Sequence, residues 1–168
     1  MTLSMYEASV PSFIRMLTSL DAILVKAQTQ AAAKKVDPTV LLNSRLFPDM
    51  FPLMRQIQIA TDHAKGAVAR LAGVDVPKYE DNEQSIEDIR ARLAKTIAFV
   101  GSFAAPQIDG SEANTIELKV GGHELSFTGM NYLIGFALPN FYFHVVTAYN
   151  ILRHNGIEIG KRDYMGTP

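Results

Sequence analysis

The chain has no cysteine and no tryptophan, and little imbalance of charge: 16 basic residues stand against 17 acidic ones. The missing thiols exclude a disulfide framework, thiolate zinc sites, iron–sulfur clusters and a cysteine nucleophile. The balanced charge gives no electrostatic footprint for nucleic acid or an anionic membrane, so neither is expected as a partner. No Gly-x-Ser-x-Gly elbow and no phosphate-loop spacing occurs. The opening stretch MTLSMYEASVPSF lacks the basic and apolar regions of a signal peptide. No run approaches the roughly 20 uncharged apolar residues of a membrane span. Met130 to Val146 comes closest, and Pro139, Asn140 and His144 interrupt it. A cytoplasmic protein is the expectation.

What is present is a large apolar fraction, 48 % of 168 residues, enough for one packed domain over residues 1–168. Helical periodicity dominates. Phe13, Leu17, Leu20 and Leu24 form one stripe, with its start either at a Ser4–Glu7 capping box or with Pro11 in a first turn. Asp37-Pro38 breaks this helix, and a short one fits Pro38 to Asn43. The apolar segment RLFPDM is expected to tuck onto the core or a partner. A second long helix runs from Pro52 to Ala72, with Leu53, Ile57, Ala60, Ala64, Ala67 and Leu71 inward and Gly73 as its end. Val74 to Gln84 is polar and fits a loop. Ser85 caps a third helix from Ile86 to about Phe103, which Pro106 ends.

The period then changes. Thr115 to Val120 and His123 to Thr128 alternate around Gly121-Gly122, as a type I′ hairpin requires. A two-residue turn sets Val120 against His123, Leu118 against Leu125, Ile116 against Phe127 and Lys119 against Glu124, so like meets like and charge meets opposite charge. A last helix spans Gly129 to His154 with a break near Pro139. The tail, residues 157–168, is short and turn-rich. The fold class is all-α: a four-helix bundle with a small β-hairpin (115–128) before the last helix.

Chemistry concentrates on that last helix. Asn140 and His144 are four residues apart and share a face. Such a pair grips a metal if another helix adds a third group. His63 is the available histidine, and Gln56 lies on its side of the second helix. The ligand-pocket candidates are therefore Asn140, Tyr142, His144 and Gln56, and the metal candidates are His63, His144 and Asn140. Two imidazoles on one ion place their nitrogens about 3 to 4 Å apart. The competing roles are ordinary: His144 bonding Asn140 or a tyrosine, His123 beside a turn, and His154 at a helix end. Phe136, Phe141, Tyr142, Phe143 and Tyr149 serve the core or a dimer interface. Asp81, Glu83, Glu87 and Asp88 form a solvated loop and helix start, and Asp49 and Asp62 take surface or capping roles.

The order of elements, with LPNFYFHVVTAYNILRHNG followed by GKRDY, ARLAG at 69–73 and FTGMNYL at 127–133, resembles the DinB/YfiT-like superfamily, and within it an uncharacterised subfamily of unknown function. The resemblance covers nearly the whole chain. It implies a four-helix bundle, often a homodimer, with one histidine from the second helix and an i, i+4 histidine pair on the last around a divalent ion, zinc or nickel; some members are metal-dependent thiol S-transferases. His144 matches the second member of that pair and His63 the helix-two histidine, but Asn140 stands in the remaining position. A neutral amide oxygen is a weak donor beside imidazole. The expectation is a bundle with a reduced or lost metal site that binds a small ligand or a partner. The alternative is a metal-dependent transferase or hydrolase using His63 and His144.

Overall fold

A computed structural model describes residues 3–166; Met1, Thr2, Thr167 and Pro168, the outermost ends of the expected domain and tail, lie outside the described residues. Helix α1 (Met5–Ala33) starts at Ser4, whose hydroxyl accepts from the Glu7 amide, and runs through Pro11. The start is therefore the serine cap and not the proline. Phe13, Leu17, Leu20 and Leu24 are all buried. α1 is long and apolar enough to cross a membrane, with a mean hydropathy of 1.4 over its best 18-residue window. That corrects the expectation that Met130 to Val146 is the nearest approach. In the fold, half of that window is buried in the protein. Asp21 and Lys26 meanwhile pair with Arg90 and Asp163.

α2 (Pro38–Asn43) begins at an Asp37 cap. After it the RLFPDM segment only partly follows expectation: Leu46 packs on the core, while Phe47 and the nearby Phe51 stay exposed. α3 (Leu53–Leu71) buries Ala60, Ala64 and Ala67. Their small side chains let the last helix approach closely, and α3 packs along it. α4 (Ile86–Gly101) opens on a complete capping box, in which Ser85 and Asp88 each bond the other's amide. It ends two residues before Phe103, and Pro106 sits in the first turn of a short α5 (Ala105–Ile108).

Strands β1 (Thr115–Val120) and β2 (His123–Thr128) pair antiparallel in the expected register, Val120 with His123 through Ile116 with Phe127. Gly121 and Gly122 have φ of 56° and 85°, as the turn demands. The hairpin leads into α6 (Gly129–Tyr132), a π-helical turn at Leu133–Ala137, and α7 (Leu138–His154). The break expected near Pro139 is thus a widened turn just before it. Proline has no N–H to donate, and its ring crowds the carbonyl four residues back. A π turn accommodates both.

The tail is more ordered than expected. Ile157 and Ile159 are buried, Gln30 bonds the Glu158 backbone in both directions, and Lys161–Met165 forms α8 against α1. Gly129 is a second point of close approach. Its amide donates to the Asn114 carbonyl at 2.8 Å, and a Cβ there would fall on the Ser111 carbonyl. Gly129→Ala is expected to destabilise by about 1–3 kcal/mol, although alanine usually favours a helix. A urea midpoint equal to or above that of the unaltered chain contradicts this.

Candidate functional site

The α3–α7 contact positions the candidate residues. His63 sits one residue before the buried Ala64, at the edge of the α3 core stripe, and remains partly exposed. His144 has the same intermediate exposure on α7. The two imidazoles, 81 positions apart in sequence, lie side by side with near-parallel planes: ring centroids are 5.8 Å apart and the planes differ by 15°. Rings that hold one ion through their nearest nitrogens keep their centroids within about 6.5 Å, given bonds of about 2.1 Å. The pair is therefore spaced within reach of a shared ion.

Gln56 joins them. It is almost fully buried, its Nε2 donates to the Phe51 carbonyl at 3.1 Å, and its Oε1 lies 2.7 Å from Nδ1 of His144. With Nε2 of the glutamine occupied as donor, Oε1 must accept, so His144 carries its proton on Nδ1 and leaves its Nε2 lone pair open. The partner expected for His144 from sequence, Asn140 or a tyrosine, is not the one found. Asn140 instead turns back along its helix and donates Nδ2 to the Phe136 carbonyl at 2.7 Å, inside the π turn. Tyr142 leaves the candidate pocket altogether. Two residues from His144 on a helix is about 200° around the axis, and Tyr142 lies by Phe141 and within electrostatic reach of Tyr164 on α8.

The donor set for a divalent ion is two imidazoles and one amide. Among the described residues no group of three His, Cys, Asp or Glu side chains is placed to hold a metal ion. A catalytic zinc site draws on three strong protein ligands, so these residues do not fit that group, and no step through it follows.

Both rings favour the neutral form. Burial, then the neighbouring His144, push His63 down from 6.5 to about 4, with Asp62 opposing and Arg70 assisting. Burial, then Arg55, lower His144. A histidine depressed in the folded state gives full stability above its unfolded value and loses it as pH falls toward the folded one. His63 alone therefore predicts a loss of about 3 kcal/mol between pH 6.5 and 4. Urea unfolding of the chain and of His63→Gln across that window checks it: the variant should show a flatter slope, and an identical slope contradicts the assignment.

Two features do not follow from the sequence pattern. The 74–84 segment is a loop with Asp81 exposed, and Asp62 lies at the surface, both as expected, but these two and the largely buried Glu83 also surround Arg92 of α4, whose side chain is 3 % exposed. Glu87 and Asp88 do lie exposed at the helix start as expected. Arg70 and Tyr132, bonded to each other at 3.0 Å, stand beside Phe136, which touches the His63 ring. The available signal was spacing: Arg70 follows His63 by seven residues on one helix face, with Gly66 between. His123 and His154, at the hairpin turn and the helix end, lie where expected and are exposed.

A family model described as "Domain of unknown function (DUF1993)" matches residues 5–165. A crystal structure described as a DinB family member protein from Shewanella denitrificans is 45 % identical, with a TM-score of 0.87, covering 97 % of this chain and 92 % of that one. No curated protein matches.

Proposed function

The chain belongs to the DUF1993 family, on a DinB-like fold, and from that premise we propose that it is a small-ligand-binding protein whose metal site is reduced to His63 and His144. The observation that carries this is the near-parallel imidazole pair with His144 bonded through Nδ1 to Gln56. Such a pair offers lone pairs and N–H donors at a partly exposed junction of two helices, which suits a small polar molecule. Asn140, bonded to its own helix, adds no strong ligand. The competing reading, a metal-dependent transferase or hydrolase on the same two histidines, draws on the ring spacing alone.

Imidazole nitrogen–proton spectra of metal-stripped protein, recorded against a library of small polar compounds, test the proposal. Compounds that bind should move the His63 and His144 signals together, and His144→Ala should abolish binding. A library in which nothing moves both rings, or binding that survives His144→Ala, counts against it. Association as a homodimer is part of the proposal. Phe51, whose carbonyl bonds Gln56, and Phe143, next to His144, are both more than half exposed, and exposed aromatic surface favours a partner. Sedimentation velocity at micromolar concentration should find a dimer; a monomer removes this part.

A further inference from the structure

Arg70 extends the histidine site toward a particular kind of ligand. Side chains on a helix lean toward its N-terminus, and here Nη1 of Arg70 lies 2.5 Å from where a Cβ on Gly66 would stand. The guanidinium thus occupies the space left by the missing side chain of a buried glycine. That level is three residues, about 4.5 Å of helix rise, from His63. Tyr132, fully buried, holds the arginine from the hairpin side: Nη1 donates to the phenol oxygen at 3.0 Å, and the ring lies 5.8 Å from the guanidinium carbon. Phe136 closes the gap, with its ring 5.9 Å from both Tyr132 and His63.

The arginine is positioned from two sides, yet it lacks what the other arginines of α3 and α4 have. Arg55, Arg90 and Arg92 each pair with a carboxylate. Among the described residues no carboxylate lies within ion-pair distance of Arg70. A phenol does not neutralise a guanidinium, and a half-buried cation without a counter-ion sits at an energetic cost. Only one of its five N–H donors is used by Tyr132. The planar fork is suited to two oxygens of one anion.

We infer that Arg70, seated on Gly66 and steadied by Tyr132, is the anion-binding arm of the His63–His144 site, so that the ligand is a small organic molecule bearing a carboxylate or phosphate group. The inference rests on the small-ligand reading above. The charged group lies on the guanidinium, and the rest of the molecule runs past Phe136 to the imidazoles. Asp62, beside His63, is turned to Lys65 and Arg92 and leaves the arm uncompensated.

Titration of the metal-stripped full chain with succinate, methyl phosphate and the neutral succinamide, followed by the Arg70 Nε–H and both imidazole signals, tests it. At least one anion should bind about tenfold more tightly than succinamide, a difference of about 1.4 kcal/mol, and the tighter of the two names the charged group. Arg70→Gln should remove that preference. Should Arg70→Gln fail to fold, Gly66→Ala keeps the guanidinium but displaces it from its seat, and must weaken anion binding while leaving succinamide binding unchanged. Succinamide binding as well as the anions, or a preference that survives both variants, overturns the anion arm and leaves the small-ligand reading standing. If none of the three probes moves the imidazole signals while library compounds do, the anion arm falls alone; if nothing does, both fall.

Discussion

Replacing Arg92 by alanine should destabilise the fold by about 3–5 kcal/mol, the range for removing one partner of a buried ion pair, and lower the melting temperature by roughly 10 °C for a chain of this size. Arg92 is the hub that ties the 74–84 loop to the helices. Its Nε donates to Thr61 Oγ1 at 2.7 Å, Nη2 to Asp62 at 2.9 Å, and Nη1 to Glu83 at 2.9 Å and to the Glu80 carbonyl at 3.2 Å. Burial opposes its charge, but the bond to Glu83 and the carboxylates of Asp62 and Asp81 outweigh that and raise its pKa. The guanidinium also lies 5.3 Å from the Tyr79 ring, which Lys65 and Lys95 approach as well. Without it, Glu83, 8 % exposed, keeps only Gln58 as a partner, and an orphaned buried carboxylate is the larger part of the penalty. Arg92→Lys should recover part of the loss, since it restores the charge but not the fork. Differential scanning calorimetry reads both variants, and a loss below about 1 kcal/mol for Arg92→Ala contradicts the account.

This network shows where sequence reasoning stops. Charges in a polar loop carry no local sign of the partner that buries them, because that partner, Arg92, is brought in by tertiary packing. The hairpin lies at the other extreme. Its register follows from alternation and two glycines within fourteen residues, and every expected pair is present. The caps at Ser4 and Ser85 were legible for the same local reason. The tail was not, because two isoleucines spaced by one residue give too short a pattern to announce that Ile157 and Ile159 anchor it.

The site divides along the same line. Spacing places Asn140 with His144, and Gln56 with His63, each on one helix face. It does not cross from one helix to the other. The meeting of His63 with His144 was implied by the family resemblance, whereas the bond from Gln56 to His144 needed coordinates. Tyr142 was drawn into the candidate pocket by closeness in sequence, which on a helix points it the wrong way. Arg70 is one arginine among several in the sequence, and only its tertiary contacts with Gly66 and Tyr132 mark it out.

The proposed reduction of the metal site rests on Asn140. Asn140→His restores the i, i+4 pair on α7 opposite His63 and supplies three imidazoles, a set that suits zinc or nickel. The substitution also breaks only one hydrogen bond, the side-chain donation to the Phe136 carbonyl, so the fold should tolerate it. Isothermal titration of metal-stripped protein with zinc measures the consequence directly. The unaltered chain should bind zinc no more tightly than about 10 μM, and Asn140→His should bind one equivalent on the order of a thousandfold more tightly, roughly 4 kcal/mol. One equivalent held by the unaltered chain as tightly as by Asn140→His, and lost in His144→Ala, would contradict it.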